Sequence, residues 1–333
     1  MFIQRPHRYV SLILCTAFAD LEDTPTIFKN YAFYILRAVI YSVVFVVGNF
    51  YVTEVLYMKT LDKIAFLVGN VVLIALTVYI MLWSVVYKRK YVSILVRFKG
   101  ENLQLQEWIE VLLLLAYLML TCGTVAYESN NVYLVLEFGI LFVLPDMLTF
   151  SAVYHFANLV TVLRRRFIQL NRDTLNGSDL ANNIIGRYQA LYKITVEVNN
   201  LYGLLILWTI VAFFIWMMID LYRFLNDIMK DQVEEDGMIF GNLIATVYHY
   251  FTLFYIVILC SSTKLHCYNF RIFYLRTLLR QQPKIENKRI CLSLFHQNAQ
   301  FSALDWFEID YPLLYGVSGA IVTYLVLLQQ LHL

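Results

Sequence analysis

Seven stretches of this chain are apolar for long enough to cross a lipid bilayer, and nothing else in the sequence constrains the fold as much. A hydrocarbon layer of about 30 Å takes roughly 20 residues of helix at about 1.5 Å per residue. Such stretches lie at 32–53, 64–86, 108–126, 132–160, 201–221, 239–263 and 312–331. With 60% apolar and only 15% charged side chains and a mean hydropathy of +0.62, the chain falls outside the range of soluble globular domains. The expected fold class is an all-α membrane protein of seven transmembrane helices. The fourth stretch is long enough to tilt or to run on beyond the bilayer as a helix.

Orientation follows from Lys and Arg, which are retained on the cytoplasmic side. Of the 26 in the chain, 21 fall in the N-terminal stretch and the second-to-third, fourth-to-fifth and sixth-to-seventh connections, and 4 in the remaining loops. The N-terminus is therefore expected in the cytoplasm and the C-terminus outside. Arg5, Arg8 and the apolar run Val10–Ala19 resemble a short secretory signal. Cleavage there would invert every later loop, so 9–19 reads instead as a membrane-surface helix. Of the five cysteines, only Cys122 lies near the outer face, which leaves no disulfide framework.

The chain divides into a cytoplasmic segment (1–31), six spans (32–263), cytoplasmic anchor helices (264–311) and a final span (312–333). In the anchor, Phe270, Phe273, Leu275, Leu278 and Leu279 recur at helical spacing among Arg271, Arg276 and Arg280 until Pro283 breaks the run. A second helix is expected after it, with Tyr311-Pro312 as a kink before the last span. Either a packed helical base or a basic surface facing water and lipid phosphate would suit this pattern.

Catalytic signatures are missing: there is no Gly-rich phosphate loop, Gly-x-Ser-x-Gly, His-Glu-x-x-His or Cys-x-x-Cys. No enzyme activity, cofactor or nucleic-acid partner is expected. His266-Cys267 has the residue types of a metal site without the spacing. A rhodopsin-type receptor would carry an acidic-Arg-aromatic triplet and Asn-Pro-x-x-Tyr, and a secondary transporter two related halves with matching broken helices. Neither pattern is present.

In the last span, Gly316, Gly319, Thr323, Leu327 and Gln330 fall within about 80° of a helical wheel. A small, polar stripe on a greasy helix suits close helix packing. It equally suits a pore face, where Thr and Gln offer oxygens to a hydrated ion and Leu327 closes the path by dewetting.

Here the sequence resembles the insect gustatory receptor family, whose hallmark is Thr-Tyr, five mostly hydrophobic residues, then Gln-Phe. It stands as Thr323-Tyr324-Leu-Val-Leu-Leu-Gln329-Gln330-Leu331, with Gln329 at a usually hydrophobic position and Leu331 in place of Phe. Upstream, Phe307-Glu-Ile309-Asp310 and the pair Leu313-Leu314 look like the family's lead-in, with Trp306 where a Gly is usual. The resemblance implies a tastant-gated, non-selective cation channel in the dendritic membrane of chemosensory neurons. It would be a homo- or hetero-tetramer with other gustatory receptors, the last span of each subunit lining the pore. Thr323, Tyr324 and Gln330 are then the motif residues, Leu327 the gate, and Gln329, about 100° from Gln330, faces a neighbouring subunit or the conduit.

The ligand pocket of that family lies among the earlier spans and carries no motif, so candidates follow from chemistry. Ionisable groups inside spans are costly and face protein or water, which singles out Glu137, Asp146 and His249. Tyr117, Tyr133, Trp216 and Tyr248 could stack on a small-molecule tastant. In a chain with 25 Tyr and 24 Phe, packing and membrane-belt roles compete with each of them. The alternative function is a seven-pass receptor or transporter that signals through its basic cytoplasmic loops without forming a pore.

Overall fold

A computed structural model describes residues 60–98, 104–129, 143–175, 181–229, 236–280 and 299–332, with isolated helical positions at 39, 40, 43, 47, 292 and 294, and Gln297. The surface helix expected at 9–19, most of the first span, Tyr133, Glu137 and most of the second anchor helix lie outside the described residues.

The described chain is helical: α1 Thr60–Val86, α2 Lys88–Arg97, α3 Gln104–Ser129, α4 Leu144–Leu175, α5 Ala181–Met229, α6 Asp236–Arg280 and α7 Tyr311–His332. Three helices are long and apolar enough to cross a membrane, through windows at Leu67–Ser84, Ile184–Leu225 and Leu243–Arg276, and shorter apolar windows occupy Val111–Thr124 and Tyr311–Leu327. The 49 residues of α5 and 45 of α6 would reach about 70 Å at 1.5 Å per residue, more than twice a hydrocarbon core. Both therefore run well past any bilayer. The 22 residues of α7 match a single crossing, about 33 Å.

Helix α6 packs against α3, α4 and α5, while α1 packs on α4 and α5, and α7 lies against α5 and α6. Two cores result. The larger is aromatic at its centre, where Trp83 meets Tyr202 at a ring-centroid distance of 4.8 Å and its indole N–H donates to the Leu201 carbonyl at 3.0 Å. The smaller core joins the extended ends of α4, α5 and α6 through Phe167, Leu170, Tyr188, Cys267, Phe270 and Tyr274. Of the apolar residues that recur through 270–279, Phe270 is in this core while Phe273 is exposed, and the side chains of Leu278 and Leu279 lie outside the described residues.

Tyr188 centres this helical base. It stacks on Phe270 at 4.8 Å, its hydroxyl donates to the Gln297 carbonyl at 2.7 Å, and it lies 3.3 Å from the Cys267 sulfur. Burial, followed by the neighbouring Cys267, pushes the phenol well above its ordinary range, and burial pushes the Cys267 thiol up as well. Both stay protonated, so Cys267 is a packing residue here. Tyr188→Phe removes the phenol hydrogen bonds while keeping the ring, and is expected to cost about 1–2 kcal/mol. Thermal unfolding of the detergent-purified protein would register this as a fall in Tm.

Between the base and α7 the chain forms a feature absent from the sequence expectations, a two-stranded antiparallel hairpin of β1 (Ser302–Ala303) and β2 (Phe307–Glu308). Ser302 pairs with Glu308 and Ala303 with Phe307. Leu304 and Asp305 turn the corner at φ 53° and 60°, a left-handed conformation that costs a leucine about 1 kcal/mol. Asn199 of α5 holds the turn in place: its Nδ2 donates to Ser302 Oγ at 3.0 Å and its Oδ1 accepts the Ser302 amide at 2.8 Å. A side chain at Gly203 would place its Cβ 3.2 Å from the Leu304 amide nitrogen, so this glycine permits the close approach of hairpin to helix. Trp306, where the resembling family carries Gly, has no left-handed φ and is 77% exposed. The turn makes no demand for glycine at that position.

Pro312 does not kink a continuous helix. The helix begins at Tyr311, which puts Pro312 in the first turn, where its missing N–H leaves no hydrogen bond unmade. Asp310 caps that start, accepting the Tyr311 amide at 2.8 Å on Oδ1, while its carbonyl accepts from Leu313 at 2.9 Å.

Candidate functional site: the last helix and a buried acid–imidazole cluster

Helix α7 presents two unlike faces. Leu314, Val317 and Ile321 recur at helical spacing and are buried in the main core. Roughly opposite, Gly316 and Gly319 are open: a Cβ added at either meets nothing within 4 Å. Thr323 and Gln330 on the same stripe are exposed, and Leu327 is 48% exposed despite being a large aliphatic residue. The Thr323 hydroxyl donates to the Gly319 carbonyl at 2.8 Å, which turns its oxygen lone pairs outward. Tyr324 sits at the edge of the packed face, with its ring tilted against Phe214 at 6.4 Å. The side chain of Gln329 lies outside the described residues.

At its start α7 is clamped to α6. The Lys264 ammonium donates to Glu308 at 2.6 Å and to Asp310 at 2.9 Å, and the Ser261 hydroxyl donates to Asp310 at 2.6 Å. Partial burial opposes ionisation of Asp310, but the bonds from Ser261, Lys264 and the Tyr311 amide outweigh it and hold the carboxyl below the usual carboxylate range. Partial burial likewise disfavours charge on Lys264, yet its two carboxylate partners push the ammonium up.

Deeper in the bundle, four of the residues singled out for ligand contact come together. The Tyr117 hydroxyl of α3 donates to Asp146 Oδ2 of α4 at 2.6 Å. The other carboxylate oxygen lies 3.6 Å from His249 Nε2 of α6. Tyr117 and Tyr248 rings meet at 4.6 Å, and the Tyr248 hydroxyl is 2.8 Å from that of Tyr154. Phe150 lies edge-on to both Tyr117 and Tyr248. Trp216 is elsewhere: it is buried on the side of α5 that faces Gly69 of α1.

The chain matches the 7tm chemosensory receptor family over residues 14–333. This protein is a 7tm chemosensory receptor. No curated protein matches the receptor in sequence. Among solved structures its fold is similar to that of the insect olfactory receptor OR5 from Machilis hrabei in complex with eugenol. The TM-score is 0.69 at 11% identity, over 98% of this chain and 97% of that one. A second structure of OR5 from Machilis hrabei matches less closely, with a TM-score of 0.47 at 12% identity over 98% and 88% of the two chains.

The receptor's buried cluster has members that the sequence expectations missed. Asp220 of α5 is 4% exposed and lies within electrostatic reach of His249, Arg223 and Asp146, beside the Thr246 hydroxyl. The rule that ionisable residues in spans are functional could have found it, because it is the penultimate residue of the stretch 201–221. At that place it passes equally well for a boundary residue. Phe150 and Phe213, which pack on the imidazole at 5.4 and 4.6 Å, gave no signal among so many aromatics. Among the described residues no group of three or more His, Cys, Asp or Glu is placed to hold a metal ion.

Proposed function

We propose that this receptor is a subunit of a gustatory, tastant-gated, non-selective cation channel in the dendritic membrane of chemosensory neurons. Each subunit crosses the membrane seven times, with the N-terminus in the cytoplasm and the C-terminus outside. Four subunits, alike or mixed with other gustatory receptors, surround a pore lined by the 312–333 helix. Residues 264–311 belong to a cytoplasmic anchor, and the tastant binds among the helices of 32–263.

The observation that carries this reading is the division of α7. One face is sealed into the chain's own core, and the opposite face, bearing Gly316, Gly319, Thr323, Leu327 and Gln330, is not covered by any of the described residues. Hydroxyl and amide oxygens beside a leucine ring are what a gated cation path requires. The Machilis receptor is held in complex with eugenol, which supports a small-molecule ligand here too. Tyr117, Asp146, Tyr248 and His249 are the contacts this reading favours, with Tyr133, Glu137 and Trp216 as further candidates.

Whole-cell recording across a tastant panel tests the proposal. Ligand-evoked cation current is expected, with Gln330→Ala changing relative permeability or block. Ligand-responsive cells that carry no current, together with a Gln330→Ala protein indistinguishable from wild type, would overturn it. Signalling that persists without ion flux would instead support a receptor coupled through its basic inner loops.

A further inference from the structure

Beyond the apolar stretch that ends at residue 263, α6 keeps one face turned away from the rest of the described chain. Cys267, Phe270 and Tyr274 are buried in the base against α4 and α5. On the other side Leu265 and Tyr268 are 54% and 45% exposed, and Arg276 is exposed too. The Arg271 guanidinium leans onto this face, 5.6 Å from the centroid of the Tyr268 ring. Read away from the span, the face is aliphatic, then aromatic, then cationic.

Neither arginine of this face pairs with a carboxylate among the described residues. The described acids on this side of the spans are already engaged: Asp173 with Arg187, Glu197 with Arg97, and Glu308 and Asp310 with Lys264. Asp305 accepts the Ser302 hydroxyl inside the hairpin turn. A second copy of this chain therefore offers Arg271 and Arg276 no uncommitted acid among these groups. The charge complement is an anion from outside the protein.

A phospholipid presents its parts in the same order as this face. Leucine suits the acyl region, tyrosine the interface, and arginine the phosphate, which a guanidinium binds through two parallel N–H bonds. Arg271 lies eight residues past 263, about 12 Å along the helix, and a long helical side chain reaches back toward the span. Arg276 lies about 7–8 Å further on. Two cations at two depths match a headgroup that projects from the surface and carries phosphate at both levels. We propose that this face of α6 binds a phosphoinositide-type lipid, its phosphodiester on Arg271, its ring phosphate on Arg276 and its acyl chain along Leu265 and Tyr268. The lipid ties the helical base to the membrane surface. The depths rest on the membrane-crossing reading above, whereas the unpaired arginines do not.

The test is the Tm of the full chain in nanodiscs of phosphatidylcholine, carrying at matched negative charge either phosphatidylserine or phosphatidylinositol 4,5-bisphosphate. The phosphoinositide is expected to raise the Tm by about 3 °C over phosphatidylserine. The rise should fall below about 1 °C in Arg271→Gln and in Arg276→Gln. Arg172→Gln, which removes an exposed charge from α4, should keep it. Each rise is read within one variant, so a change in that variant's own stability does not enter. An equal rise from both lipids, no rise in wild type, or a rise that survives in both α6 variants overturns the proposal. Soluble inositol 1,4,5-trisphosphate that gives the full rise in plain phosphatidylcholine assigns the face to a free phosphate ester and overturns the lipid. No current is needed for this measurement. A lipid-dependent Tm without ligand-evoked current upholds the lipid site and removes the channel reading, and current with a lipid-insensitive Tm does the reverse.

Discussion

Asp310→Ala is expected to lower the Tm of the purified receptor by about 5 °C, the largest stability loss of any single polar substitution near α7. The carboxylate does three things at once: it caps the helix through the Tyr311 amide, accepts the Ser261 hydroxyl and pairs with Lys264. A lost cap costs about 1 kcal/mol and a lost charge-assisted hydrogen bond about 1.5–3. The total of about 2.5–4 kcal/mol, at roughly 2 °C per kcal/mol in a chain of this size, is a fall of at least about 5 °C. Asp310→Asn keeps a good cap and loses only charge, so it should fall about half as far. Glu308 also binds Lys264 but caps nothing, and Glu308→Gln should cost least. Restoration by the swap Lys264→Asp with Asp310→Lys would be partial, because lysine cannot cap the helix.

The same pair sets a pH dependence. A carboxyl held below its ordinary value stabilises above about pH 4 and loses that contribution as pH falls through the folded value; an ammonium held above its ordinary value stabilises below about pH 10 and loses it as pH rises further. Tm differences between wild type and Asp310→Asn should therefore be flat across neutral pH and shrink only as pH falls below about 4. A difference that varies between about pH 5 and pH 8 would show that the clamp is not the source of the stabilisation.

Two serine substitutions, six residues apart on α7, are expected to have opposite outcomes. Ile321 is buried, and Ile321→Ser leaves both a cavity and a buried hydroxyl, a loss of about 3–5 kcal/mol. Such a protein should reach the cell surface poorly. Leu327 is nearly half exposed within the chain, so Leu327→Ser should fold and traffic normally. If Leu327 is the dewetting gate, its replacement wets the constriction and raises ligand-free current several-fold. Surface labelling and holding current measured on the same cells separate the two. A Leu327→Ser protein that traffics well and carries no added leak would move the gate to another residue.

The last helix was the part of the site most legible from sequence, because every clue lies within a single helix. The spacing of Gly316, Gly319, Thr323, Leu327 and Gln330 needs only the helical repeat to form a stripe, and α7 leaves that stripe open while burying Leu314, Val317 and Ile321. Tyr117, Asp146 and His249 were legible one at a time, by the cost of a polar or ionisable group in a span. Their meeting was not. Helices that are apolar all round, as α5 and α6 are, have no polar face to fix their rotation, so periodicity could not say that Asp146 and His249 face each other while Trp216 turns toward Gly69. Asp220 was hidden by its place near the edge of a span, where a carboxylate ordinarily reaches water.

The hairpin failed to show for a different reason. Two residues per strand are too few to produce alternation, and its turn uses a left-handed leucine, against that residue's own preference. Asn199, 103 residues away from Ser302, ties the first strand of the hairpin to α5.

Apolar length and composition were enough, before any coordinates, to set the class of the molecule and its helical character. Both depend on an additive property of short segments, how much of their surface oil will accept. The tertiary structure alone decided which polar groups face one another, where α6 grips α7, and which half of α7 is left uncovered. Those are matters of helix rotation and long-range registry, and they arise only when segments far apart in the chain are packed together.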